Sequence, residues 1–171
     1  MVRVPRARKA AVAAAAVALA TGALASCGAD SPGEGVASAP HAGDAACRQF
    51  ADGYPDRLGG QKLTFTDRPG VAVWGENAIV LRCGVELPEP TIDPCATVDG
   101  VDWVFREDRS EDGGKVVVTY GRDPAVEVAV TEEITAVDDV LVGLSALVEP
   151  VKPYTKCVGM DDVPAPAAPS G

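Results

Sequence analysis

Between Ala125 and Thr131 the chain alternates without a break, with Val126, Val128 and Val130 set against Glu127, Ala129 and Thr131. Successive side chains of an extended strand point to opposite faces, so this run buries one face and leaves the other wet. Strands of that kind belong to antiparallel sheets, and shorter runs repeat the pattern. Leu63 and Phe65 alternate with Lys62, Thr64 and Thr66; Val71 and Val73 alternate with Ala72 and Trp74. Ile79, Leu81, Cys83 and Val85 share one face, with Val80 and Arg82 on the other; Val101, Trp103 and Phe105 point together, opposite Asp102, Val104 and Arg106. Val116, Val118 and Tyr120 form a further run. Gly75-Glu76-Asn77 is the expected turn between the second and third runs, and Asp99-Gly100 carries the signal of a tight hairpin.

Helical spacing brackets these strands. Asp44 to Leu58 reads as a short helix with Cys47, Phe50, Ala51 and Tyr54 on one side and Pro55 ending it. Thr135-x-x-Asp138 fits the cap of a final helix whose stripe holds Val137, Val140, Leu141, Leu144, Leu147 and Val148, with Pro150 as its stop. The expected fold class is α+β: a single domain, with an N-terminal and a C-terminal helix packed on one face of an antiparallel sheet.

The N-terminal segment sets the compartment. Arg3, Arg6, Arg8 and Lys9 precede an Ala-rich apolar stretch from Ala10 to Leu24, the layout of an export signal. Leu24-Ala25-Ser26-Cys27 supplies what a lipoprotein signal peptidase needs: an apolar residue, two small ones and a cysteine to carry diacylglyceryl. Ala23-Leu24-Ala25 offers an ordinary secretory site as the alternative, and the apolar stretch falls short of the about 20 residues of a spanning helix. The expectation is a chain acylated at Cys27 and held on the outer face of the cytoplasmic membrane. Residues 1–26 are then the signal peptide and 27–44 a flexible Gly/Ala/Ser/Pro tether with a reach of roughly 20–25 Å. Residues 45–159 make the domain, and 160–171, with Pro164, Pro166 and Pro169, a disordered tail.

Four of the fifteen basic residues leave with the signal and all twenty-five acids stay, taking the formal charge from −10 to −14. Phosphate backbones repel such a chain, so nucleic acid is not an expected partner, and the membrane is reached through the acyl group. Cys47, Cys83, Cys95 and Cys157 remain beside Cys27. An even count, an oxidising compartment and the lack of Cys-x-x-Cys favour two structural disulfides over zinc. Of the three pairings, Cys83–Cys95 with Cys47–Cys157 is preferred. The first closes a short ring around Pro88, Pro90 and Pro94; the second ties the two helical ends, contributing on the order of 4–5 kcal/mol in the loop-entropy model.

Trp74-Gly75 leading into Ile79-Val80-Leu81-Arg82-Cys83-Gly84-Val85, then Gly100-Val101-Asp102-Trp103, then Thr119-Tyr120-Gly121-Arg122-Asp123-Pro124-Ala125-Val126 together form a known pattern. It resembles the actinobacterial lipoprotein family catalogued as domain of unknown function 3515, over most of Cys47 to Leu147. Arg82-Cys83-Gly84 and Gly100-x-Asp102-Trp103 are its more specific elements. Members usually carry Asp-Pro where this chain has Glu76-Asn77, and Asn-Gly where it has Asp99-Gly100; both departures lie in turns. The resemblance implies the address and the domain, and no activity.

Residues for chemistry are sparse. The single histidine, His41, lies in the tether, away from any serine it could activate. Asp108-x-Ser110-x-Asp112-Gly113 matches the first half of a calcium loop, yet Thr119 stands where a bidentate glutamate is wanted, so a solvated hairpin turn is the simpler reading and no metal or cofactor is expected. Asp99, Asp102, Glu107, Asp108 and Asp123 could supply an acid–base pair, but nothing singles two of them out. No catalytic residues are assigned. Trp103 reads as core, whereas Trp74, Arg82 and Arg122 are the candidate binding surface. The expected role is a non-enzymatic binding or scaffolding module of the cell envelope, with an envelope protein or wall polymer as partner. The alternative is a small hydrolase acting on wall polymer.

Overall fold

The computed structural model describes residues 31–110 and 112–158. Eight strands run through them: β1 (Arg57–Leu58), β2 (Gln61–Phe65), β3 (Val71–Trp74), β4 (Ile79–Val85), β5 (Cys95–Val98), β6 (Val101–Phe105), β7 (Lys115–Thr119) and β8 (Ala125–Val130). They form one antiparallel sheet in the order β1-β2-β3-β4-β8-β7-β6-β5. Helices are short: α1 (Ala45–Ala51), α2 (Val137–Val148) and a 3₁₀ turn at Glu107–Arg109.

The α+β expectation is thereby corrected to a mostly-β fold. The helix expected to reach Leu58 ends at Ala51, because Gly53 and Pro55 follow, and Leu58 pairs instead with Gln61 across Gly59-Gly60. Thr135 does not cap α2, which starts at Val137 without a side-chain cap bond. Asp99 and Gly100 both take positive φ, 47° and 78°, as a two-residue hairpin between Val98 and Val101 requires.

Laid flat, eight strands about 4.8 Å apart would span about 34 Å. α2, of 12 residues and so about 18 Å long, nevertheless touches both edge strands, β1 and β5. The sheet therefore curls around the helix. Its inner face holds the main core, where Leu81, Trp103, Val126 and Val128 meet Leu141 and Leu144. Trp103 Nε1 donates to Ser145 Oγ (3.3 Å), and that hydroxyl donates to the Leu141 carbonyl (2.7 Å), so the one polar group on the buried side of α2 is satisfied.

Arg122 closes the end of this helix. Its guanidinium, buried at 3% exposure, donates to the carbonyls of Glu149 (3.0 Å) and Val151, which α2 and its exit leave without helical partners, and to the Gly100 carbonyl of the β5–β6 turn (2.7 Å). Arg122 is thus not part of a binding surface, as its charge suggested, but a helix-end cap. Arg122→Lys keeps the charge and loses the planar fork; it should cost about 2 kcal/mol in urea unfolding and leave the m-value unchanged.

Two terminal segments lie on the sheet, each where a glycine lets backbone approach backbone. Residues 31–44, expected as a free tether, run from Ser31 onward along the outer face. Gly33 abuts the Phe65 ring, Arg68 donates to the Gly33 (2.6 Å) and Val36 carbonyls, and Ala39 and Ala42 are buried. His41 N donates to the Gly84 carbonyl at 2.9 Å, where a Cβ on Gly84 would stand 2.2 Å from the His41 carbonyl carbon. The second segment, 151–158, crosses at Gly121: Tyr154 N donates to its carbonyl (2.7 Å), and Thr155 O sits 1.9 Å from the position of a Cβ.

The disulfides are Cys47–Cys83 and Cys95–Cys157, not Cys83–Cys95 and Cys47–Cys157. The strand order excludes the expected first pair. β4 and β5 stand four strand steps apart, about 19 Å, against the 4.4–6.8 Å that bridged Cα atoms allow. Cys83 faces inward beside Cys47 of α1, both in the main core, while Cys95 on the edge strand meets the terminal segment. With separations of 36 and 62 residues, loop entropy assigns each bridge about 4 kcal/mol. The signal, Cys27 and the 160–171 tail lie outside the described residues; among those described, no helix is long and apolar enough to cross a membrane.

Candidate functional site

Glu127 alternates with Val126 and Val128 on β8 and so points to the outer face. β4 sets Arg82 directly across from it, and the pair closes at 3.1 Å between Nη1 and Oε1. Arg109, carried by the 3₁₀ turn, donates to the other oxygen, Oε2. Ser110 fixes that turn: its hydroxyl donates to the Arg106 carbonyl (2.9 Å) and accepts from Val116 N of β7 (3.0 Å). Glu127 is therefore a carboxylate at 5% side-chain exposure held between two guanidinium groups, of which Arg109 remains 44% exposed.

These residues floor a cleft of about 560 Å³. A bulge after Cys83 turns Val85 onto the same outer face, where it packs with Val118 and Ala125. The far wall is the loop from Glu86 to Thr91; Pro88 and Pro90 deny it ladder donors, so it stands off the sheet and leaves Leu87 41% exposed. Arg106, on the rim, lies 3.3 Å from both Asp93 and Asp108, which neutralise it. At the floor two positive charges face one negative one. Glu86 and Glu89 line the far wall of the same cleft, so the surplus is confined to the floor, where the bidentate form of guanidinium suits a carboxylate or phosphate.

The sequence-derived surface does not assemble. Trp74 is fully buried on the inner face: Nε1 donates to the Pro55 carbonyl (2.8 Å), and Tyr54 meets its ring edge-on at 5.9 Å. Val71 and Val73 looked like the buried side of that strand, and they are buried, but under the 31–44 segment. Val73 pairs with Phe65, against which Gly33 lies. Both faces of β3 are therefore covered, and Trp74 and Arg82 point to opposite sides of the sheet. Of the three candidates, Arg82 alone reaches the cleft.

Reading the sequence missed Glu127 and Arg109. A lone acid inside an apolar strand, and a basic residue at the same face of another strand, was the available signal; pairing them needs the register. Asp108 of the calcium-like run faces Arg106 instead of a common centre, and among the described residues no group of three metal-ligating side chains converges. Asp102 is buried as a structural acceptor, taking Thr97 Oγ1 (2.6 Å) and Cys157 N (2.8 Å).

A curled antiparallel sheet with its termini stapled by two disulfides, and an arginine-lined cleft outside, describes the class of domain. The chain belongs to the family described as Protein of unknown function (DUF3515), whose model matches residues 8–157. No curated protein and no solved structure matches it. The motifs that carried the resemblance now have physical roles. Cys83 is bridged, Gly84 and Gly121 admit crossing backbone, Asp102 holds the Cys157 amide, Trp103 holds Ser145, and Arg122 caps α2. Arg82 is the charged motif residue that lines the cleft, with Val85 beside it.

Proposed function

We propose that this chain is a non-enzymatic binding module of the cell envelope, anchored by diacylglyceryl-Cys27 at the outer face of the cytoplasmic membrane. Its cleft takes an anionic group of a wall polymer or envelope protein. The observation that carries this reading is Glu127 buried between Arg82 and Arg109 at the floor of a cleft walled by the Glu86–Thr91 loop. Two disulfides suit an exported chain, and the Leu24-Ala25-Ser26-Cys27 ending supports the anchor. A hydrolase needs a carboxylate free to accept or give a proton, whereas both Glu127 oxygens are engaged by arginines.

The test uses the full chain and purified cell wall. Arg109→Ala should weaken cosedimentation with wall at least tenfold and, because it removes one of the two bonds to the buried Glu127 carboxylate while Arg82 keeps the other, lower the unfolding free energy by about 1.5 kcal/mol and leave the domain folded. Cys27→Ala should shift the chain out of the membrane fraction. Undiminished wall binding by Arg109→Ala overturns the cleft assignment. Soluble wall fragments released by the wild type and not by Glu127→Gln would establish the hydrolase instead.

A further inference from the structure

The two disulfides stand in opposite surroundings. Cys47 and Cys83 are both fully buried in the core. Cys95 is exposed on β5, an edge strand with no further strand beside it among the described residues, and Cys157 is partly exposed. Both open onto a hollow of about 570 Å³ lined also by Ile92, Tyr120, Lys156 and Val158. Ile92 is fully exposed, at 103%, and Val158 is 74% exposed, so two apolar side chains flank an accessible disulfide with nothing over them among the described residues. An ammonium, from Lys156, lines the same hollow.

We propose that Cys95–Cys157 is a thiol–disulfide exchange site, and that the partner it fits is a dithiol oxidoreductase of the envelope seated against Ile92 and Val158. One thiolate of the partner attacks Sγ of Cys95. The Cys95–Cys157 bond breaks, a mixed disulfide forms, and Cys157 leaves as a thiolate that takes up a proton from solvent, its charge favoured by Lys156. The partner's second thiolate then attacks its own sulfur in the mixed disulfide and releases Cys95 as a thiolate, which is protonated in turn. Two electrons have passed from the dithiol, now a disulfide, to the cysteine pair.

Val151 stays fixed by Arg122 and by Val148, but reduction leaves the residues beyond it held by Tyr154 N to the Gly121 carbonyl and by Cys157 N to the Asp102 carboxylate. The core bridge and the sheet stay as they are. The exposed pair thus acts as a latch on the C-terminal segment, and its chemistry is separate from that of the arginine cleft, with which the hollow shares only the Pro90-Thr91 wall.

The full folded chain is titrated with dithiothreitol under native conditions, quenched by alkylation and mapped by mass spectrometry. Cys95 and Cys157 should be labelled at least tenfold faster than Cys47 and Cys83, with hydrogen exchange rising over 151–158 and not over 126–130. Equal labelling of the two pairs, or labelling of Cys95 and Cys157 only when the whole domain unfolds, overturns the proposal. Thioredoxin whose resolving cysteine is replaced by serine should be trapped on Cys95. Ile92→Asp with Val158→Asp should lower trapping several-fold while leaving the dithiothreitol rate unchanged; unaltered trapping overturns the docking of the partner at this hollow.

Discussion

Trp74→Ala should lower the unfolding free energy by about 4 kcal/mol and the melting temperature by about 15 °C. The indole is fully buried, so truncation opens a cavity the surrounding strands cannot close, and it also strands the Pro55 carbonyl that Nε1 now satisfies at 2.8 Å. A second readout separates this from a generic loss. Burial pushes the Tyr54 phenol from 10.0 up to about 12, and its ring packs edge-on against Trp74. In the wild type the unfolded phenol ionises near pH 10 while the folded one resists to about 12, so the contribution of the buried phenol is whole below pH 10 and is lost as pH rises toward 12. Trp74→Ala lets water reach Tyr54, and spectroscopic titration of its phenol should move back toward 10. A variant that folds as stably as the wild type but no longer binds wall would instead restore Trp74 to a surface role.

The strands were legible because each carries its own period-two alternation, and Asp99-Gly100 announced its hairpin through residues that tolerate positive φ. What a single strand does not encode is its neighbour. Arg82 and Glu127 lie 45 positions apart, and only the β4–β8 register makes them a pair. The same gap explains the disulfides: ring size and proline content suggested Cys83–Cys95, but the sheet order places those strands four steps apart. β1 is two residues long and β5 alternates only between exposed and half-buried positions, which shifted the apparent balance of the fold toward its helices. Residues 31–44 read as tether because glycine, alanine and proline carry no stripe. Their role is to let backbone lie close to backbone, and composition alone does not distinguish that from solvation.

Gly84→Ala tests that close approach directly. At Gly84 φ is +85°, a conformation L side chains rarely adopt, and the added methyl would meet the His41 carbonyl carbon at 2.2 Å and Ala42 N at 2.5 Å. Neither obstacle is the yielding end of a side chain. β4 cannot retreat, since Cys83 is bridged to α1 and Val85 packs with Val118 and Ala125. The crossing segment must lift, giving up the bond from His41 N to the Gly84 carbonyl and uncovering Val71 and Val73. Gly100 provides the control: its φ is +78°, yet a Cβ there meets nothing within 4 Å, so Gly100→Ala carries the conformational cost alone, about 1 kcal/mol. Gly84→Ala adds the collision and should cost about 3 kcal/mol. Hydrogen exchange should rise over 36–44 and 71–74, while 126–130 and 140–148, on the inner side of the curl, keep their protection. Equal costs for the two substitutions would mean that the 31–44 segment does not rest on β4 in solution, and Val73 would then be an exposed strand residue and not the floor beneath it.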